Sequence, residues 1–189
     1  LMPNSLATIR TILAETGADI VLFNYDNLYE TTGVVETDEA LFEDGRVFAG
    51  EGKRRVYEEM IRTWRLNNLC MKAIKTALLQ SDDTPYEDYA HLRFGEDLLQ
   101  SLYPVTHAAR IAYCARPLYI YRHARTSMIG GAVRRDEESD AIIERLSAYM
   151  QRWDMNSPAM REAFATRRIQ SRLTVLWQRY RAADSRQKR

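Results

Sequence analysis

Phe94-Gly95-Glu96-Asp97-Leu98-Leu99, followed by Ile111-Ala112-Tyr113-Cys114-Ala115 and Pro117-Leu118-Tyr119-Ile120-Tyr121-Arg122, is the stretch on which the fold turns. A glycine, two acids and an apolar pair mark the start of a helix, because carboxylates are favoured at its positive end. From Glu96 to Ala109, Leu98, Leu99, Leu102 and Val105 keep helical spacing. Pro104 lies inside that helix and predicts a kink or an early end. Ile111 to Ala115 and Leu118 to Arg122 read as two strands, with Pro117 between them confined to an edge or a bend. Glu96 and Asp97 have two readings. They serve as first-turn acids of a helix, or they do acid–base chemistry, and the residues alone leave both open.

Upstream, Leu1 to Gly17 reads as a helix. Pro3 suits its first turn, Asn4 and Ser5 are capping types, Leu6, Ile9, Ile12 and Leu13 form the apolar face, and Gly17 ends it. The continuous apolar run Ile20-Val21-Leu22-Phe23 predicts a strand covered on both faces. Helix, glycine and buried strand make one unit of a layered α/β domain. Tyr25, Asn27 and Tyr29 alternate towards a more exposed end, and a second strand around Val34-Val35 turns at Gly33 and suits antiparallel pairing. Asp38 to Gly52 reads as an acidic loop with a short strand at Arg46-Val47-Phe48. It is not a phosphate-cradling loop, since the Lys and Ser/Thr context is missing.

Lys53 to Arg65 is an amphipathic helix with Val56, Tyr57, Met60, Ile61 and Trp64 on one side. Leu66 to Lys72 breaks the pattern, and Asn67 and Asn68, set among apolar neighbours, are expected to bond to backbone. Ala73 to Gln80 reads as a short helix and Ser81 to Tyr89 as a polar linker. Arg125 to Arg134, with Gly130-Gly131, reads as a mobile loop. Asp136 to Trp153 and Pro158 to Tyr180 read as a helical hairpin. Ile142, Ile143, Leu146, Met150 and Trp153 line the first helix; Phe164, Ile169, Leu173, Leu176, Trp177 and Tyr180 line the second. The domain reading is a catalytic-type unit over 1–130 and a hairpin extension with a basic tail over 131–189.

Composition excludes several classes. The 189 residues carry a formal net charge of +1, with 46% hydrophobic and 28% charged residues, as in globular chains. No apolar stretch is long enough to span a bilayer. Leu1 to Ser5 lacks the basic-then-apolar pattern of a signal peptide. Cys70 and Cys114 lie far apart among apolar residues, which fits a reduced, intracellular setting rather than a disulfide scaffold. His91, His107 and His123 have no metal-ligand spacing. Arg161 to Arg189 holds nine basic residues against two acids, a net +7. Such a tail is either a solvated helix face or a surface for anionic partners. It lacks interleaved aromatics beyond Trp177 and Tyr180, which are read as core-facing, so nucleic acid is not expected.

Three segments, in order, resemble the second half of a family 2 glycosyltransferase of the GT-A type. They are Leu66-Asn67-Asn68-Leu69-Cys70-Met71-Lys72-Ala73-Ile74-Lys75, then Phe94-Gly95-Glu96-Asp97-Leu98-Leu99, then Ile111 through Tyr119-Ile120-Tyr121-Arg122 to Ser127. Met2-Pro3-Asn4-Ser5-Leu6 and Gly17-Ala18-Asp19-Ile20-Val21 resemble the segment just after that family's metal-binding Asp-x-Asp motif. The likeness runs to about Met128, and it places the nucleotide-binding half and the Asp-x-Asp motif before residue 1.

The resemblance implies an α/β fold, a partial GT-A-like layered sheet with flanking helices, closed by the helical hairpin. It implies inverting sugar transfer from a nucleotide-sugar donor to a glycan or lipid-linked acceptor in cell-surface glycan synthesis. Asp97 would be the base, with Glu96 binding acceptor or positioning the pair. Arg122 and Ser127 would sit near the donor diphosphate, with His123 and Arg125 as secondary candidates, and Lys72 would face the acceptor or form a salt bridge. Mg or Mn is expected in the intact enzyme and not in this chain, which alone is expected to be inactive. The implied location is cytoplasmic, at the inner face of a membrane. An anionic membrane surface and a second copy are the other partners considered. The alternative function is a non-catalytic α/β interaction domain working through its basic hairpin.

Overall fold

A computed structural model of the chain describes residues 1–92, 94–124 and 136–187. Helix α1 (Ser5–Thr16) ends on Gly17, whose φ of 62° is the left-handed stop and whose N–H bonds the Leu13 carbonyl at 3.0 Å. The expected cap at its other end is replaced. Asn4 is left-handed and makes no side-chain cap bond. The Ser5 hydroxyl instead lies 2.8 Å from the Met2 carbonyl and 2.7 Å from that of Leu118, which ties the helix start to a strand far along the chain.

Strand β1 (Ile20–Tyr29) is the spine of the sheet, and it is followed by β2 (Val34–Thr37) and β3 (Val47–Ala49). Helix α2 (Arg54–Arg62), the three-residue strand β4 (Lys72–Ile74), helix α3 (Thr76–Gln80) and helix α4 (Glu96–His107) come next. Strand β5 (Arg110–His123) and the two long helices α5 (Asp136–Arg152) and α6 (Pro158–Gln187) complete the order. Strands run β2-β1-β5-β3 across the sheet, and β4 pairs with β1 on the same edge as β2. The β1–β5 pair is parallel; β2, β3 and β4 join antiparallel. Ile20, Val21 and Leu22 are fully buried and Phe23 nearly so, as an apolar run with both faces covered requires.

Three readings change. Ala73 and Ile74 are strand rather than helix, because with Lys72 they complete the edge of β1 opposite Ile20 to Leu22, and the helix starts at Thr76. Ile111 to Arg122 is one strand rather than two. Pro117 sits opposite Asn24, where the β1–β5 register slips on both sides, so the missing N–H falls in a bulge. Helix α4 runs through Pro104 to His107.

Asp19 knots three strands at their ends. Its carboxylate accepts from the Ala109 and Arg110 amides at 2.7 and 3.2 Å and pairs with Lys75 at 2.8 Å. Burial works to raise its pKa, but these bonds outweigh it and leave it lowered.

The hairpin helices pack on the rest of the chain through specific anchors. Trp153, just past the end of α5, stacks on Tyr57 of α2 at 4.3 Å and donates to the Thr106 hydroxyl at 2.8 Å. Ile142, Ile143, Leu146, Met150 and Trp153 are all buried, as α5's pattern predicts. Helix α6 departs from its pattern. Ile169, Leu173, Leu176, Trp177 and Tyr180 are exposed, and only Phe164 of the expected face is half-buried. The inward stripe is Met160, Arg167, Ser171 and Val175. Arg167 donates to the Met60 and Thr63 carbonyls at the end of α2 and to Asn67 Oδ1, with its guanidinium 4.1 Å from the Trp64 ring. Those carbonyls are the unpartnered negative end of a helix, where a cation is favoured.

Candidate active site

One edge of β1 is divided between two partners. β4 takes Ile20 to Leu22 and β2 takes Asp26 to Tyr29. Phe23, Asn24 and Tyr25 between them have no strand partner on that edge among the described residues. The segment leading into β4 crosses here, so Asn68, Cys70 and Lys72 meet β1 where it is open. Asn68 donates to the Tyr25 hydroxyl at 3.4 Å. The expectation that Asn67 and Asn68 side chains bond to backbone is therefore corrected: Asn67 Oδ1 accepts from Arg167 and Asn68 Nδ2 donates to the Tyr25 hydroxyl, and it is their backbone carbonyls that accept from Ser101 and Lys72.

Asp97 enters this place from α4. Its Oδ2 accepts the Leu69 amide at 3.3 Å, and the residue is half-buried. Gly95 sets the geometry of that helix start. Its φ is +85°, and a Cβ there would come within 2.0 Å of Ile142 Cδ1. The glycine is thus required by the packing of α5 as well as by the backbone. Glu96, one residue earlier on the helix, is exposed and lines a separate cleft with Tyr86, Tyr89, Leu92 and Leu99. The two acids are adjacent in sequence but face different surroundings, as a helical step of about 100° dictates.

Lys72 lies beside Asp97. Its ammonium donates to the Leu66 and Asn68 carbonyls at 2.7 and 2.6 Å. Part of the residue meets solvent, yet the ammonium itself is enclosed. Burial pushes its pKa down to about 7, against the opposing pull of Asp97 and Cys70. Burial, then the Asp97 charge, raises the Cys70 thiol. Tyr25 and Tyr121 are raised by burial first, then by Asp38 and Cys70 for Tyr25 and by Cys70 and Asp97 for Tyr121. Burial, with acidic neighbours adding to it, therefore keeps these hydroxyls and the thiol protonated.

The parallel register sets Tyr25 opposite Tyr119, Asn27 opposite Tyr121 and Tyr29 opposite His123, all on one face. From Tyr25 the ring centroids step 6.0 Å to Tyr121, 5.0 Å on to His123 and 4.6 Å to Tyr29, the last pair stacked. His123 Nε2 lies 2.9 Å from Asn27 Oδ1, and Asn27 Nδ2 donates to Asp38 at 3.4 Å. With Asn27 Oδ1 as acceptor, Nε2 is the protonated nitrogen. This row ends at the carboxyl ends of two parallel strands, where open α/β sheets bind ligands.

Of the residues singled out from the sequence, the structure brings together Asp97 and Lys72, with His123 further along the same sheet face. Arg122 alternates onto the opposite face and lies 3.4 Å from Glu30, with 70% of its side chain exposed. Ser127 and Arg125 lie outside the described residues. Tyr25, Asn27, Asp38, Asn68 and Cys70 were not singled out. The alternation of Tyr25, Asn27 and Tyr29 along a strand end was the available signal. Among the described residues no group of three or more His, Cys, Asp and Glu is placed to hold a metal ion. No helix among them is long and apolar enough to cross a membrane.

No protein-family profile matches the chain, and no curated protein matches it in sequence. A solved structure does match in shape: Staphylococcus aureus TarS, residues 1–349, in complex with UDP-GlcNAc, with a TM-score of 0.58 at 14% identity. The match covers 86% of this chain, and the chain spans 43% of that one. At that identity the likeness speaks to the fold, and the fold is glycosyltransferase-like: a partial GT-A-type layered sheet with flanking helices and a closing helical hairpin.

Proposed function

We propose that this chain supplies the acceptor side of an inverting family 2 glycosyltransferase acting in glycan synthesis. The observation that carries the reading is Asp97. A carboxylate held by a backbone amide at a helix start faces the open edge of β1, in a fold shared with a protein solved with a nucleotide sugar. In the transfer, the acceptor hydroxyl gives its proton to Asp97 as its oxygen forms a bond to the anomeric carbon. The bond from that carbon to the nucleotide diphosphate breaks, and the diphosphate leaves with the electron pair. The Leu69 amide and the start of α4 hold the Asp97 carboxylate aimed at the open edge. The row Tyr25, Tyr121, His123 and Tyr29 offers an acceptor sugar flat rings with polar edges. Arg125 and Ser127 are the candidates for the donor diphosphate, where a guanidinium fork suits paired oxygens, whereas Arg122 faces the other way beside Glu30. Glu96 contributes from its own cleft and does not share the base's role.

The test uses the protein expressed from the whole reading frame. Asp97→Asn lowers transfer from a nucleotide sugar by at least about a hundredfold while donor binding stays unchanged. Turnover near wild type in that variant would remove Asp97 as the base. The second reading, a docking domain without catalysis, draws on the apolar outer face of α6. It gains if Asp97→Asn is silent.

A further inference from the structure

Helix α6 has two apolar sectors that point in opposite directions. One packs inward through Met160, Val175 and the half-buried Phe164. The other is Ile169, Leu173, Leu176, Trp177 and Tyr180, each 58 to 65% exposed. Their spacing of i, i+4, i+7, i+8 and i+11 makes one continuous stripe. The Trp177 and Tyr180 rings stack on each other at 5.8 Å. Along one flank, Arg161, Arg168 and Arg179 recur at i, i+7 and i+18, a row parallel to the stripe, while Arg172 on the same side pairs with Asp140 of α5 at 2.6 Å. Glu162 and Asp184 are the only acids on the helix.

We infer that this outer face docks the protein onto an anionic phospholipid surface. The stripe lies at the boundary between headgroups and acyl chains, and the arginine row lies on the lipid phosphates. Trp and Tyr are the side chains that favour that boundary, with an apolar body and a polar edge. Arginine can leave its stem along the apolar side and keep its charge among the headgroups. A helix of this kind lies on a bilayer rather than crossing it. Charge decides against a second copy as the occupant. Paired through this stripe, two copies would bring an arginine row each to the seam, with no acidic row to meet it.

The experiment is vesicle sedimentation with the full 189-residue chain. Vesicles of phosphatidylcholine with phosphatidylglycerol should bind it, and vesicles of phosphatidylcholine alone should not. Added salt should weaken the binding. The double variant Leu173→Glu/Trp177→Glu should lower partitioning by at least about a hundredfold, since two large apolar groups leave the boundary. Arg168→Gln/Arg179→Gln should cost about fivefold per arginine. Both variants should keep the wild-type melting temperature, because neither touches the core. Equal binding to neutral and anionic vesicles, or binding untouched by the double variant, overturns the proposal. A dimer that Leu173→Glu/Trp177→Glu dissolves, with no vesicle binding, would assign the face to a second copy instead.

Discussion

Strand β1 and helix α6 both carry closely spaced large apolar residues, and their fates are opposite. Ile20 to Phe23 are 0 to 2% exposed, whereas Ile169, Leu173, Leu176, Trp177 and Tyr180 are mostly in solvent and a neighbouring arginine, Arg167, is wholly buried. Position in the fold explains the difference. β1 has β5 along one edge, β4 and β2 along the other, and helices over the sheet, so every side chain on its first half must be buried. α6 is an outer element that can bury only one stripe. The stripe it buries is the one that fits: Ser171 is small enough for its hydroxyl to meet that of Ser139 on α5, and Arg167 reaches the carbonyl end of α2. Hydrophobicity predicts burial where an element has no choice of face. Where it has a choice, close approach and polar partners decide.

The largest effect should come from the spine. Leu22→Ala removes a side chain with no exposed surface from between two layers, and should cost about 3 kcal/mol or more in denaturant unfolding. A loss below about 1 kcal/mol would mean that the sheet is not packed on both faces.

Arg167→Met comes next and tests what selects the face of α6. The methionine keeps an apolar stem, so packing is largely preserved. The Met60 and Thr63 carbonyls lose their donor in a site closed to water, and the variant should lose about 2 kcal/mol. Burial holds the arginine's pKa down to about 10, so desolvation opposes the attraction of the helix-end carbonyls for the cation. If relief of that burial dominates, the variant will be more stable than wild type, and small-residue packing rather than Arg167 orients the helix.

The same contrast marks what could be read from the sequence. β1 was legible because its continuous apolar run leaves no choice of face, and α2, α4 and α5 because each has one apolar face to bury. β4 was not, since Lys72-Ala73-Ile74 is too short to show a period and becomes a strand only by lying against Ile20 to Leu22. Pro117 appeared to divide two strands because the bulge that accommodates it depends on the register of β1. In the site, Asp97 stood out through the Gly95-Glu96-Asp97 resemblance. Tyr25, Asn27, Asp38 and Asn68 did not, because they meet only through strand pairing and the loop before β4. That Glu96 faces away from Asp97 is a consequence of helix geometry visible once α4 starts at Glu96.

A pH-dependent effect separates the site from the spine beside it. Lys72 has a pKa near 7 when folded and 10.5 when unfolded. Between those values the unfolded chain binds more protons, so stability rises with pH, and below 7 the penalty is complete and constant. Lys72→Met removes that dependence. From pH 7 to 10 wild type should therefore gain about 3 kcal/mol relative to the variant, measured by denaturant unfolding at each pH. Tyrosines that titrate above this window are common to both proteins and cancel. A flat difference would show that the two carbonyls and Asp97 hold the ammonium charged through the whole range.

The smallest effect completes the comparison with the same substitution as the largest. Leu176→Ala deletes the same atoms as Leu22→Ala, but from a side chain that is 58% exposed on the outer face of α6. No cavity forms, little apolar surface returns to water, and alanine is a slightly better helix former than leucine. Unfolding in the absence of lipid should therefore move by no more than about 0.5 kcal/mol in either direction. A cost approaching that of Leu22→Ala would mean that the outer face is already covered in solution. Sedimentation equilibrium on the same samples would then show the covering copy as a dimer, and the stripe would belong to an interface between proteins rather than to a membrane.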